Sequence, residues 1–146
     1  MNSSTAASPG RWLQAMTEAQ TFKTIDIAIE TFKKNEGFRK GIKVSKRPHS
    51  DWLIFNWRQL TWTENGINYL IEIYPEFNDK EKVTSWTLYT AASYDLDKKR
   101  YYIKHSFAKE KDLTFIANHM AELLISSFNF ITNFSKKDIP LTVDLK

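Results

Sequence analysis

The chain has 146 residues, of which 42% are hydrophobic, and a formal net charge of +4. This length suits a single domain with one core, and the composition argues against disorder over the whole chain. The absence of cysteine excludes disulfides, thiolate metal sites and cysteine nucleophiles. No apolar run reaches the roughly 18 residues that a membrane-spanning helix needs.

Residues 1–10 are rich in Ser, Thr and Ala, and they lack the basic start and apolar core of a secretory signal. We predict a flexible tail over 1–16 and a single α+β domain over 17–146. The lack of a signal and of cysteine is typical of a cytoplasmic protein that does not associate with a membrane.

The first predicted element is a helix over 17–35. Thr17 and Gln20 have the spacing of a capping box, in which each side chain satisfies a free backbone N–H at the helix start. Gly37 is expected to end the helix, because glycine readily adopts the left-handed conformation of a helix exit. The apolar residues of this helix recur at helical spacing on one face: Phe22, Ile25, Ile29 and Phe32.

The segment 33–47 carries most of the basic character of the chain. It holds seven basic residues against one acidic residue, a local charge of +6, so the rest of the chain is net acidic. Two interpretations remain open: a solvated connection between two elements, or a patch that faces an anion or a nucleic acid. The residues of such a patch would be Arg39, Lys40, Lys43, Lys46 and Arg47.

A hairpin follows, with strands predicted over 52–62 and 67–74. Asn65 and Gly66 tolerate positive φ, as a tight hairpin turn requires. The second strand alternates regularly between apolar and other residues. In the first strand the apolar positions change face near Arg58 and Gln59, which predicts a β-bulge or a strand covered on both faces.

Two further strands and a long helix complete the prediction. The strands run over 83–94 and 100–107, joined by a turn over 95–98, and the helix runs over 112–134 with Asp112 as its N-cap. Phe115 and Ile125 are expected to widen the apolar face of that helix. Pro140 stops the helix from continuing, and the tail 141–146 could add a short edge strand.

This order predicts a two-layer α+β fold. Its sheet is a four-stranded antiparallel meander, flanked in sequence by an N-terminal and a long C-terminal helix. Two apolar helices need a surface to bury against, so both are expected on one face of the sheet. The alternative is a sheet that lies between the two helices.

Few residues indicate catalysis or metal binding. His119 and Glu122 lie one turn apart, and with His105 they are candidates for lining a pocket. A metal site needs three or four ligands, and no second such pair exists, so we predict no metal and no cofactor. The carboxylates of Asp26 and Glu30 are expected to face solvent. The chain also lacks phosphate-loop and nucleophile-elbow motifs, which weighs against an enzyme without excluding one.

Aromatic residues on the predicted strands carry the clearest functional signal. If both helices cover one face, the other face should present some of these rings to solvent, and an exposed aromatic patch often marks a binding surface. The opposing interpretation is that aromatic residues simply favour strands and pair across them. The candidate binding residues are Trp57, Trp62, Tyr74, Trp86, Tyr89 and Tyr102.

Three functions follow from these patterns. The first is a non-catalytic protein that binds another protein, or a second copy of itself, in the manner of an immunity protein, chaperone or adaptor. The second is a single-stranded nucleic-acid-binding domain that stacks bases on sheet aromatics and meets phosphates with the basic segment. The third is a small-molecule-binding or hydrolytic domain with a pocket between sheet and helix.

Overall fold

A computed structural model describes residues 18–37, 41–48, 56–77 and 83–142 of the chain. It contains an antiparallel sheet of five strands and two α-helices, so the α+β class is as predicted. In chain order the elements are α1 (Glu18–Phe32), a π-helical turn (Lys33–Gly37), β1 (Lys43–Pro48), β2 (Asn56–Glu64), β3 (Ile67–Phe77), β4 (Val83–Leu96), β5 (Lys99–Glu110), α2 (Leu113–Thr132) and a 3-10 turn (Lys136–Asp138).

The sheet is a meander in which each strand pairs with the next along the chain, in the order β1-β2-β3-β4-β5. Asn65 and Gly66 form the β2–β3 turn with φ of 54° and 78°, as their tolerance of positive φ predicts. Asp97 and Lys98 form the β4–β5 turn, also with positive φ. Both turns therefore lie at the same end of the sheet.

The sheet has five strands rather than the predicted four, because part of the basic segment is itself a strand. β1 pairs with β2 in an unbroken register, from Lys43 opposite Thr61 to Pro48 opposite Asn56. Charged residues and proline are common on edge strands, where they prevent further pairing. The interpretation of this part as a solvated connection was wrong, because its charges suit an edge strand.

The predicted β-bulge near Arg58 is also wrong. The β2–β3 register runs without a break from Arg58 opposite Ile73 to Glu64 opposite Ile67. Arg58 occupies an inward position that an apolar residue would normally take, and it is buried there against Asp26 of α1. The register shifts lie elsewhere, at Glu76/Phe77 in the β3–β4 ladder and at Leu88/Tyr89 in the β4–β5 ladder.

Both helices contact the same face of the sheet, which we call the helix face. Phe22 of α1 packs edge-on against Trp86 with ring centroids 4.7 Å apart, and Phe128 of α2 stacks on Trp62 at 5.1 Å. The helix layout differs from the prediction in detail. α2 lies across β3, β4 and β5, whereas α1 packs mainly on α2 and reaches the sheet through a few side chains.

The helix boundaries follow local signals. The Asp112 side chain caps α2 by accepting hydrogen bonds from the backbone N–H groups of Thr114 and Phe115.

Phe115 and Ile125 are 43% and 47% exposed, so the apolar face of α2 is narrower than predicted. The predicted capping residue of α1, Thr17, lies outside the described residues. No helix in the described ranges is long and apolar enough to cross a bilayer.

The chain after α2 returns to the outer edge of β5. Leu141 forms an antiparallel bridge with Tyr101, and the backbone N–H of Thr142 donates to the carbonyl of Arg100 at 2.8 Å. The N–H of Tyr102 donates to the carbonyl of Pro140 at 2.9 Å. The start of the predicted edge pairing is therefore present, while 143–146 lie outside the described residues.

Candidate functional site

The candidate site lies on the side of the sheet opposite the helices, which we call the open face. Side chains alternate between the two faces along each strand, so the neighbours of core residues point to the open face. On β3, for example, Ile71 and Ile73 are buried under the helices, while Leu70 and Tyr74 lie on the open face and are half-buried. Among the described elements, the helices leave this face uncovered.

A cavity of about 640 Å³ opens on this face at the end where the two turns lie. Cross-strand register builds it, because Thr63 pairs with Asn68, Asn68 with Ser93, and Ser93 with Tyr102. We call it the turn-end cavity. Its open-face lining residues are Lys43, Gln59, Thr61, Thr63, Asn68, Leu70, Ser93, Arg100 and Tyr102.

The charged side chains that line the turn-end cavity are both basic. Lys43 and Arg100 are exposed, and neither forms an ion pair with any described residue. The guanidinium of Arg100 lies over the ring of Tyr102, 5.3 Å from the ring centroid. Asp95, directly opposite Arg100 in the β4–β5 register, is exposed and does not line the cavity.

Hydrogen bonds orient the amide side chains near the cavity. The hydroxyl of Thr63 donates to Oδ1 of Asn68 at 2.8 Å, which leaves the amide nitrogen of Asn68 as the group that can donate to a ligand. Gln59 also lines the cavity, and its Nε2 donates to Oε2 of Glu72 at 2.7 Å. The cavity wall therefore combines positive charge with hydrogen-bond donors.

A buried carboxylate marks the boundary between the cavity and the rest of the open face. Glu72 is 7% exposed, and besides Gln59 it contacts Lys104, with Nζ 3.4 Å from Oε1. The same ammonium group lies 4.4 Å from the ring centroid of Tyr89. Lys104 is therefore neutralised by Glu72, unlike the two cations of the cavity.

An aromatic cluster of Trp57, Tyr74 and Tyr89 occupies the open face beyond Glu72. The rings of Trp57 and Tyr74 lie 5.3 Å apart and those of Tyr74 and Tyr89 lie 6.5 Å apart. Burial raises the pKa of Tyr74, and the negative charges of Glu72 and Glu76 raise it further. The two carboxylates therefore lie close enough to the Tyr74 hydroxyl to disfavour its ionisation.

Glu76 forms a second polar network at this end of the open face. Its Oε2 accepts a hydrogen bond of 2.6 Å from the Thr87 hydroxyl, and Lys109 lies 3.4 Å away. The hydrogen bond from Thr87 is the largest cause that lowers the pKa of Glu76, and Lys109 lowers it further, while partial burial opposes both. The open face is thus cationic at its turn end and carries paired charges elsewhere.

The structure separates the six predicted aromatic binding residues into two groups. Trp57, Tyr74, Tyr89 and Tyr102 are half-buried on the open face. Trp62 and Trp86 are 4% and 1% exposed, and both belong to the core on the helix face. Their placement on an exposed surface was wrong, because strand alternation puts them beside Leu60 and Leu88 under the helices.

The predicted basic patch is only partly described. Lys43 lines the turn-end cavity, whereas Lys46 and Arg47 belong to β1, where their backbones pair with Arg58 and Trp57. Arg39 and Lys40 lie outside the described residues.

The candidate pocket residues do not come together. His105 lies on the helix face against Phe130 and Phe134, with ring centroids 5.4 and 5.5 Å away. His119 stacks on Phe115. His119 precedes Phe130 by eleven residues in α2, which corresponds to about 16 Å along the helix axis. Glu122 is exposed on α2, and within the described ranges no group of three His, Cys, Asp or Glu side chains could hold a metal ion.

Arg100, Asn68 and Thr63 are among the cavity residues that the sequence did not single out. Within each strand, the alternation of polar and apolar residues predicts which face these side chains occupy. It does not predict which residues of the other strands lie beside them, so it is a weak signal for a site. The carboxylate of Asp26, predicted to face solvent, instead holds Arg58 at 2.9 Å.

The comparisons with known proteins add no relative to this description. No protein-family model matches the chain, and no curated protein or solved structure matches it. The function must therefore be inferred from the geometry and charge of the open face.

Proposed function

We propose that this protein is a small non-catalytic binding protein that recognises another protein through the open face of its sheet. The observation that carries this proposal is the turn-end cavity, which the described helices leave uncovered and which exposed hydrogen-bonding side chains line. Fixed polar groups beside half-buried aromatic rings are typical of protein interfaces, where water also fills gaps.

The residue types on the open face support a protein partner. Tyr, Trp and Arg dominate the energetics of many interfaces, and Tyr102 with Arg100 forms such a pair within the cavity. The aromatic cluster supplies a second, more apolar area on the same face. A partner that spans both regions would bury aromatic surface at one end and pair with cations at the other.

A single-stranded nucleic acid is the second candidate, because Lys43, Arg100 and the ring of Tyr102 all line the cavity. The charges beyond the cavity weigh against it. Beside the aromatic cluster, Lys104 and Lys109 are already paired with Glu72 and Glu76, so the phosphates of bases stacked there would meet no unpaired cation among the described side chains. A protein partner can match both regions with different side chains.

A small apolar ligand fits the turn-end cavity less well. Ligand pockets are mostly lined by hydrophobic and aromatic side chains, with a few polar groups that fix orientation. Seven of the twelve described residues that line this cavity carry polar or charged side chains, and Leu70 is the one aliphatic side chain among them. The predicted small-molecule-binding or hydrolytic domain also lacks its expected pocket, because His105 and His119 lie far apart.

Site-specific photo-crosslinking in the native cell tests the proposed function. A photoreactive amino acid replaces Thr61, which is exposed in the cavity, and in a matched variant it replaces Ile27, which is 60% exposed on α1. We expect a defined protein adduct from position 61 and no such adduct from position 27. An adduct common to both positions, or none from position 61, would contradict the proposal.

Two further measurements identify the class of partner. Light scattering on the purified protein shows whether the crosslinked partner is a second copy of the chain, since a homodimer gives twice the monomer mass. Retention of labelled oligothymidylate at low salt, lost as salt rises, would instead favour the nucleic-acid candidate.

A further inference from the structure

The geometry points to the form of the partner segment that occupies the turn-end cavity: we propose that the cavity binds an extended peptide of about seven residues with an acidic residue near each end. This inference rests on the proposed function and adds the shape and charge pattern of the recognised segment to it. One acidic residue would meet Lys43 and the other would meet Arg100, while the segment between them would lie over the uncharged floor of the cavity.

The first argument is the distance between the two cations that line the cavity. Lys43 lies on β1 and Arg100 on β5, so four strand spacings of roughly 4.8 Å separate them across the sheet. Followed from strand to strand, the register places Lys43 level with Lys104, which is four residues along β5 from Arg100. The two backbones are therefore about 23 Å apart, which is too far for one carboxylate to contact both cations but matches the span of about seven extended residues.

The second argument is the chemistry of the floor between the two cations. Uncharged polar side chains cross three strands there, because Thr63 pairs with Asn68, and Asn68 pairs with Ser93. The backbone N–H and C=O groups of an extended peptide need hydrogen-bond partners, and side-chain amides and hydroxyls can supply them. The amide nitrogen of Asn68 is oriented as such a donor, since the Thr63 hydroxyl donates to its oxygen at 2.8 Å.

The same floor argues against other occupants. A helix satisfies its backbone groups internally and docks through an apolar stripe. Leu70 is the one aliphatic side chain among the described residues that line the cavity, so a helix would find little apolar surface there. A nucleic-acid strand carries a negative charge at every nucleotide, whereas the described cations of the cavity lie on its two outermost strands. The pattern of charge and polarity therefore favours an extended peptide that is acidic at both ends.

Two labelled heptapeptides of identical composition, with blocked termini, test this inference. The end-spaced peptide, Glu-Ser-Thr-Ser-Thr-Ser-Glu, has its acidic residues about 20 Å apart when extended, and the centre-spaced peptide, Ser-Thr-Glu-Ser-Glu-Thr-Ser, has them about 7 Å apart. Fluorescence anisotropy at about 0.1 M salt measures binding, since a Debye length of about 10 Å makes each charge act locally. We expect the end-spaced peptide to bind about fivefold more tightly, because only its acidic residues can meet both cations.

A charge-matched pair of double variants separates the cavity from general surface charge. Lys43→Gln/Arg100→Gln should weaken binding of the end-spaced peptide about fivefold and remove the difference between the two peptides. Lys99→Gln/Lys111→Gln also removes two exposed cations, but neither lysine lines the cavity, and strand alternation directs Lys99 away from the face that its neighbour Arg100 occupies. This control should retain the preference and change the affinity less than about twofold. Circular dichroism checks that both variants remain folded, as the exposure of all four side chains leads us to expect.

The variant Asn68→Ala tests the floor of the cavity. Because the amide would bond to backbone groups that both peptides share, the variant should weaken both peptides alike, by about threefold. Unchanged affinity for both peptides would contradict the role of the floor in backbone recognition.

Four results would overturn the inference: no binding of the end-spaced peptide up to about 1 mM protein, equal affinity for the two peptides, the same loss in both double variants, or tighter cavity-dependent binding of oligothymidylate. These outcomes are distinct from failure of the proposed function. A position-specific crosslink at Thr61 without a preference for the end-spaced peptide would leave the proposed function standing and remove only the acidic extended segment. A cavity-dependent preference without any crosslinked protein would support the peptide site and contradict the proposed function.

Discussion

The two faces of this sheet use the same strands for different purposes. On the helix face the side chains mainly serve packing. Some polar groups there have partners, as Arg58 pairs with Asp26 of α1 and Tyr94 donates to the carbonyl of Lys136, whereas others lack a hydrogen-bond partner. Buried atoms without a partner on this face are Nε1 of Trp62, Nε1 of Trp86, Oγ1 of Thr90 and Nε2 of His105. Thr90 and His105 lie opposite each other in the β4–β5 register. On the open face, polar side chains pair with one another across strands.

This comparison shows where binding capacity remains. On the helix face the apolar side chains are already buried within the molecule, and the polar atoms that lack hydrogen-bond partners are inaccessible to solvent. The open face has paired its carboxylates Glu72 and Glu76, yet it leaves Lys43 and Arg100 exposed in a cavity. Four pairs of measurements can break or sharpen this contrast between the two faces.

The largest effect is expected from Trp86→Ala on the helix face. Trp86 is 1% exposed and packs on Phe22, so its truncation leaves a cavity and should cost about 3–5 kcal/mol of unfolding free energy. Tyr102→Ala on the open face should cost less than about 1 kcal/mol, because the ring is only half-buried. Urea unfolding followed by circular dichroism measures both, and similar losses would mean that the open face is also part of the core.

The second effect concerns the ion pair that links the helix face to α1. Asp26→Asn removes the carboxylate 2.9 Å from Arg58, whose side chain is 7% exposed, while that of Asp26 is 29% exposed. We expect a loss of about 2 kcal/mol, between the values for surface and fully buried pairs. The matched variant Glu30→Gln, an exposed carboxylate one turn along α1, should change the unfolding free energy by less than about 0.5 kcal/mol.

A double variant adds a check on the ion pair. Arg58→Met together with Asp26→Asn removes both partners, so it should lose less stability than Asp26→Asn alone. A larger loss for the double variant would show that Arg58 stabilises the protein mainly through its packing on Phe22, 4.4 Å from the ring centroid.

The third comparison uses two buried threonines of β4 that point to opposite faces. The Thr87 hydroxyl donates to Glu76 at 2.6 Å, so Thr87→Val should cost about 1.5 kcal/mol. The Thr90 hydroxyl is buried and makes no hydrogen bond in the described structure, so Thr90→Val should cost nothing or stabilise slightly. Thermal and urea unfolding of the two variants measure the difference, and the opposite order would contradict the contrast between the faces.

The smallest effect is a pH dependence on the open face. The pKa of Glu76 is lowered from 4.5, chiefly by the hydrogen bond from Thr87, so the folded state binds this proton less readily than the unfolded state. Its contribution is therefore complete above about pH 4.5 and is lost as the pH falls through the lower folded value. Since Glu76 is half-exposed, we expect less than about 1 kcal/mol.

Unfolding midpoints between neutral and acid pH measure this contribution. Glu76→Gln should lose stability at neutral pH and show a shallower decline below pH 4.5 than wild type. Thr87→Val should flatten the same acid limb, because it removes the largest cause of the lowered pKa. An unchanged acid limb in both variants would show that Glu76 does not contribute to the pH dependence of stability.

Much of the fold follows from signals that act over a few residues. The φ requirement of Asn65 and Gly66 and the capping oxygen of Asp112 are local properties, and the structure contains both. Alternation on β3 and the helical spacing of Phe22 with Ile25 also predict their elements, since the period of apolar residues reflects backbone geometry. These signals suffice for the α+β class.

The remainder depends on residues that are far apart in the chain. Arg58 takes an inward position because Asp26, 32 residues away, pairs with it there, and the resulting break in the pattern imitates a bulge. β1 becomes a strand only by pairing with β2, and residues from all five strands line the turn-end cavity only because of the strand register. Backbone preference and periodicity are encoded locally and can be deduced from the sequence alone. Strand register, the covering of one face and the pairing of charges are decided by tertiary contacts, whose energies depend on which distant groups meet.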